Sequence, residues 1–190
     1  PQLGQTVEHF TKPKRAVNVT FLHCTATSNP NFDAKQCHDY HVDQLGWSAI
    51  GYHYLLKTDG TLQYGRSAEQ TPAAQSGYNS GSLAISLNGL NPSDFNAKQF
   101  DRVVAFCNEI NAAYGGKMRF RGHKEVAAKD CPVFDYRGVL GLDANGYMTG
   151  SPSTPPAEII KPVPMVSVTG EFAQVGKGDQ HPHVAWVQRL

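Results

Sequence analysis

The segment RGHKEVAAKDCP at 121–132 gathers the side chains best suited to chemistry. His123 and Cys131 can each ligate a metal, and Lys129 places a cation two positions before the cysteine. Far upstream, His23 closes the apolar stretch VNVTFLH. Two imidazoles and a thiolate suit zinc, and three protein ligands leave a fourth position open for water, as in catalytic sites. A zinc centre of this kind lowers the pKa of bound water to about 7 and polarises a carbonyl. Amide hydrolysis needs both effects, along with charge for the developing oxyanion and a proton for the leaving amine. Lys129 can supply the charge, because in an extended loop it shares a side with Cys131. Tyr52, in GYHY at 51–54, offers a hydroxyl beside the water.

Taken singly, these residues read blandly. His23 fits a satisfied core histidine, Cys131 a buried thiol and Tyr52 a core aromatic. A metal-free cysteine nucleophile favours a helix N-terminus, whereas Cys131 precedes Pro132. His9, His38, His41, His181 and His183 are left outside the site.

The elements that must position these groups follow from periodicity. Residues 16–24 read as a buried strand with Val17, Val19, Phe21 and His23 on one face. Cys24 then points the opposite way and is not expected to ligate beside His23. Residues 33–45 read as a helix opened by an Asp33/Gln36 capping box. Residues 52–57 and 61–65 read as a hairpin around Asp59-Gly60, with Tyr52 and His53 on opposite sides. Residues 83–88 form another strand. Residues 96–114 carry Phe100, Val103, Val104, Cys107, Ile110 and Tyr114 at helical spacing, and Gly115-Gly116 closes that helix. A short strand at 117–121 leads into His123, and 134–140 forms a last helix. Alternating strands and helices predict an α/β sheet with helices on its faces.

Bulk properties bound the rest. The 190 residues, 40% hydrophobic, suffice for one full core and a tail. With 17 basic and 16 acidic residues, the net charge of +1 gives no footprint for nucleic acid. No apolar run is long enough to insert in a membrane. The first ten residues show no signal peptide, which predicts synthesis in the cytoplasm. Cys24, Cys37, Cys107 and Cys131 are widely and irregularly spaced, so Cys37 and Cys107, on apolar helix faces, are read as buried thiols rather than a disulfide framework. The predicted organisation is an arm at 1–15, a catalytic domain at 16–148, a Pro-rich linker at 149–166 and a tail at 167–190.

The ordered set FLHCTAT, GWSAIGYHYLLKTDGTLQYGR, SGYNSGSLAISLNG and RGHKEVAAKDCP resembles the zinc-dependent N-acetylmuramoyl-L-alanine amidases of the phage lysozyme-amidase type, which are related to peptidoglycan recognition proteins. The resemblance runs from about 17 to 140 and implies a mixed, mostly parallel central sheet of about five or six strands, with flanking helices and a zinc cleft. It implies Zn²⁺ on His23, His123 and Cys131, with Tyr52 and Lys129 as catalytic groups. By the same likeness His53 is a wall or supporting group, and Arg66 and Asn79 match cleft-edge positions that support the site or bind substrate. Gln75, just before GYN, departs from close relatives, which carry a histidine there. It is not counted as a ligand, and it puts substrate contacts on that rim in question.

The implied activity is cleavage of peptidoglycan at the amide between the lactyl group of N-acetylmuramic acid and L-alanine. Such an enzyme acts on the cell wall, in the periplasm or outside the cell. The alternative is a recognition module that binds the wall without cutting it. A monomer is expected, and binding to RNA polymerase enters by family analogy alone. GDQHPHVAWVQRL is similar to the opening of a peptidoglycan-binding repeat.

Overall fold

β-Branched and aromatic residues fill the first apolar run, and it forms β1 (Val19–Cys24). In the computed structural model, which describes residues 2–150, four further strands join it. They are β2 (Tyr54–Leu56), β3 (Leu62–Tyr64), β4 (Ser82–Leu87) and β5 (Arg119–Gly122). The order is β3-β2-β4-β1-β5. β1 lies parallel to both β4 and β5, and β2 lies parallel to β4. Among these five strands, the β2–β3 hairpin is the antiparallel pair. The sheet is therefore an α/β one, as the alternation predicts, and mixed and mostly parallel with five strands, as the resemblance implies. The proline-rich stretch from 151 onward and the tail at 167–190 lie outside the described residues. Among the described residues, no helix is long and apolar enough to cross a membrane.

Alternation along each strand sorts the two faces. Leu83, Ile85 and Leu87 of β4, with Leu22 and Cys24 of β1 and Tyr54 and Leu56 of β2, join the larger core. That core is closed by α2 (Ala97–Ala113), whose Phe100, Val103, Phe106, Cys107 and Ile110 recur at helical spacing and are buried. Burying each such large side chain contributes about 1.5–3 kcal/mol. Asn96 caps α2: its side chain accepts from the Gln99 amide at 3.3 Å, and the Gln99 side chain accepts from the Asn96 amide at 3.2 Å. At its far end Gly115 and Gly116 take φ of +65° and +75°, a left-handed geometry that glycine adopts without strain.

The other face carries a smaller core of Ala84, Leu55, Ile50 and Tyr52 against Ala34 and Cys37 of α1 (Ala34–Asp39). The Asp33/Gln36 capping box forms as the sequence predicts, with bonds of 2.8 and 3.1 Å. The helix then widens into a π-helical turn, Tyr40–Gln44, which 3.6-residue periodicity does not signal. His23 alternates with Leu22 and Cys24 and lies opposite Ser86 in register. It therefore faces the α1 side.

The N-terminal arm is fastened to the sheet. Val7 donates to the Leu62 carbonyl and Tyr64 to that of Gln5, at 2.8 and 2.9 Å. Val7 is buried, and Phe10 packs edge-on to Tyr54 and Phe106.

β5 ends at Gly122, and the turn that follows begins with His123. Glu125 braces that turn by accepting from the Gly122 amide at 3.1 Å, from Arg121 Nε at 2.9 Å and from the Tyr136 hydroxyl. Tyr136 opens α3 (Tyr136–Leu140), and its ring fills the space where a residue-122 side chain would go. A Cβ on Gly122 would lie 2.5 Å from that ring. Gly122→Ala is accordingly expected to destabilise the fold by about 1–3 kcal/mol, the usual cost of overpacking. Urea denaturation should show a lower midpoint, and an unchanged midpoint would mean that Tyr136 yields freely.

Candidate metal centre and cleft

Two imidazoles and a sulfur meet at one edge of the sheet. The ligand atoms of His23, His123 and Cys131 all lie within 4.8 Å of one another. The two rings are 4.7 Å apart, and His23 Nδ1 lies 3.8 Å from Cys131 Sγ. His23 sits near the C-terminal end of β1, and His123 follows the C-terminal end of β5, the parallel neighbour. Cys131 is brought back by a loop whose closing bond joins the Lys124 amide to the Cys131 carbonyl. The Cys24 amide donates to Cys131 Sγ at 3.4 Å, which favours the thiolate form.

His23 is fully buried, and burial first, then the neighbouring His123, pushes its pKa down to about 3. Burial and Lys129 lower His123 as well. Both imidazoles are thus neutral, the form that ligates a cation. Cys24 stands outside the three-ligand cluster, but its sulfur is 3.9 Å from that of Cys131. With no cation present, the hydrogen bond to Cys131 draws the Cys24 thiol down to about 7. The same contact, together with burial, pushes Cys131 up. A cation on Cys131 inverts that order, because a coordinating thiol is deprotonated outright. Two neutral imidazoles and one sulfur fit the three-ligand pattern of a catalytic zinc.

The cluster opens on a cleft of about 990 Å³. Tyr52, Lys129, Asn79, Trp47 and His41 are among its walls, together with His123 and Cys131. The Tyr52 ring stands 5.1 Å from that of His23. Burial raises the Tyr52 phenol well above 10, so at neutral pH it is a hydroxyl that can donate. The Lys129 ammonium is close enough to depress His23 and His123 electrostatically.

The strand expected at 52–57 begins only at Tyr54. The His53 amide donates to the Ala84 carbonyl and the Ala84 amide donates to His53 Nδ1, both at 3.0 Å. An imidazole thus stands in for a peptide carbonyl, and the strand's alternation starts after it. Tyr52 joins the α1-side core and Tyr54 the opposite one. His53 is wholly buried and is absent from the cleft wall; its Nε2 lies 2.9 Å from the Gln70 carbonyl and can donate to it.

Arg66 is likewise absent from the cleft wall. Its amide holds the Tyr52 carbonyl at 2.8 Å, and its guanidinium binds the carbonyls of Ile50, Thr71 and Ala49. Asn79 lines the cleft, and its side chain accepts from the amides of Ala74 and Gln75 at 3.1 and 3.0 Å.

Two residues escape sequence reasoning. Gln75 is not on the rim: it is fully buried, with Oε1 3.0 Å from His23 Nε2. His41 is also buried; Nδ1 accepts from the Gly51 amide at 3.0 Å, and the ring lies 4.6 Å from Trp47 and 5.7 Å from Tyr52. An isolated glutamine carries no periodic signal. His41 sits on the π-helical turn, where helical spacing fails.

Burial holds His41 and His53 neutral, with each pKa pushed down to about 4. These values lie below the roughly 6.5 of an unfolded histidine. Their stabilisation is therefore full above about pH 6.5 and is lost as pH falls toward 4. In excess chelator, His23 adds to the same slope. Urea unfolding of the chelated protein should show a stability loss between pH 7 and 5 on the order of 1–2 kcal/mol per histidine. A flat profile would mean that these rings are not held neutral.

Residues 13–134 match the family described as N-acetylmuramoyl-L-alanine amidase. The chain is 31% identical to the endolysin of Enterobacteria phage T3 over 133 residues, covering 66% of this chain and 87% of that protein. Peptidoglycan-recognition protein SC2 of Drosophila simulans is 29% identical over 102 residues, 52% of this chain and 55% of that protein. Among solved structures, N-acetylmuramoyl-L-alanine amidase LysC from Clostridium intestinale URNW shares the fold with a TM-score of 0.61 at 23% identity, covering 74% of this chain and 96% of that one.

Proposed function

The chain belongs to the N-acetylmuramoyl-L-alanine amidase family, and from that premise we propose that it hydrolyses peptidoglycan at the amide joining the lactyl group of N-acetylmuramic acid to L-alanine. The observation that carries the reading is the meeting of His23, His123 and Cys131 beside an open cleft that His123 and Cys131 line. These three would hold Zn²⁺. When bound there, zinc supplies a water of lowered pKa and polarisation of the scissile carbonyl.

The chain's own groups carry the remaining work. The cleft takes the glycan-linked stem, with Trp47 and Asn79 on its walls. Tyr52, kept protonated by burial, orients the attacking water through its hydroxyl and passes a proton toward the departing amine. Lys129 lines the cleft together with Cys131 and neutralises the oxyanion as it forms on the lactyl carbonyl. His53 and Arg66 act at one remove by fixing the backbone that carries Tyr52. The site of action is the bacterial cell wall.

A second reading, a recognition module that binds the wall without cutting it, is favoured by the likeness to peptidoglycan-recognition protein SC2. The complete two-histidine, one-cysteine donor set favours the enzyme, since binding alone has no need of it.

Isolated sacculi treated with the purified protein should release stem peptides beginning at L-alanine, identified by mass spectrometry. Release should stop on chelation and return with zinc. Binding to sacculi with no new amine terminus would install the recognition reading instead. Lys129→Ala should lower turnover by about 10²–10³ while zinc content is retained, by analogy with loss of one oxyanion stabiliser. Undiminished turnover would remove the lysine from the chemistry.

A further inference from the structure

A histidine ligand has two ring nitrogens, and only the one without a proton can bind a cation. Which nitrogen that is depends on what the other one meets. For His23 the answer lies in a chain of buried polar groups. Nε2 faces Gln75 Oε1 at 3.0 Å, and the Gln75 amide nitrogen faces Ser82 Oγ at 2.6 Å. The Ser82 hydroxyl faces the Asn79 carbonyl at 2.7 Å. Gln75 and Ser82 are both fully buried, so no bulk water can substitute for a missing partner.

The direction of every bond in this chain follows from its last member. The Asn79 carbonyl can only accept, so Ser82 spends its single hydrogen there. Ser82 Oγ must then accept from Gln75, which puts the Gln75 NH₂ on the serine and Oε1 on His23. An oxygen at 3.0 Å requires a proton on His23 Nε2. Nδ1 is left with its lone pair, and Nδ1 is the nitrogen that lies 3.8 Å from Cys131 Sγ. The reversed amide would bring two oxygens to 2.6 Å and make the serine leave Asn79. It would also put the His23 proton on Nδ1, inside the donor set. The Gln75 backbone is itself pinned, because its amide donates to Asn79 Oδ1 at 3.0 Å.

We infer that Gln75 is a positioning residue: through Ser82 and Asn79 it holds His23 as the Nε2–H tautomer and aims the Nδ1 lone pair at the point shared with His123 and Cys131. The inference rests on the metal reading of that cluster. It reassigns Gln75 from a cleft-rim contact to a support on the buried side of His23. It also gives Asn79 a second task, as the fixed end of the chain.

The tautomer can be read without any mutation. Two-bond proton–nitrogen correlations on histidine-labelled, zinc-free protein should show His23 protonated at Nε2. A proton on Nδ1 would overturn the inference outright. In Gln75→Leu, of similar size but with no acceptor, the tautomer preference should fade. Zinc affinity, measured by competition with a chromophoric chelator, should then fall about 10–100-fold, the usual cost of losing such a partner. Gln75→Glu keeps an acceptor at Nε2 and should restore most of that affinity. A folded Gln75→Leu protein with wild-type affinity and an unchanged tautomer would sink the idea. Should that variant fail to fold, the wild-type spectrum still decides. Wild-type protein that takes up no zinc while His23 remains Nε2–H would instead overturn the metal reading, and with it the purpose assigned to Gln75.

Discussion

Two adjacent parallel strands deliver their C-terminal ends to the same edge of a sheet, and the site depends on that constraint. β1 ends near His23, and β5 runs directly into His123. The backbone ladder between them fixes both residues before any side chain acts. Because β1 also pairs with β4 on its other side, His23 sits in the sheet interior, where a charged imidazole is costly. Burial thus keeps the His23 imidazole neutral. His123 and Cys131 lie nearer the surface and leave the cluster open on one side.

Much of the polar chemistry around the cleft is scaffolding for a few groups. His53 takes the place of a peptide carbonyl at the mouth of β2 and releases Tyr52 from the ladder. Arg66 gathers three carbonyls from two loops while its own amide holds Tyr52. Gly51 lets the Ala73 carbonyl come so close that an added Cβ would lie 2.4 Å from its oxygen. Each of these groups is buried or half-buried with its partners satisfied, as buried polar networks must be to stabilise a fold.

The parts of the molecule that repeat were legible in the sequence. The helix expected at 96–114 is Ala97–Ala113, and the strand expected at 83–88 is Ser82–Leu87. Their apolar spacing is set by a single local geometry, and α2 carries its own cap. His123 and Cys131, eight residues apart, were visible by residue type within one short segment. What stayed hidden depends on contacts across the chain. Tyr52 and Tyr54 are two residues apart, yet they enter opposite cores because a side chain interrupts the ladder between them. Gln75 looked like a rim residue because nothing local marks it as the partner of a strand 52 residues away.

The sulfur and imidazole that meet at 3.8 Å are 108 residues apart along the chain. Every loop between them must close before they meet, so the donor set exists only in the finished domain and not in any fragment of it. A cation held by all three groups at once therefore favours the native state over the unfolded chain. Occupancy of the site becomes a report of completed assembly. A chain that has not yet folded through Cys131 cannot bring these three groups together.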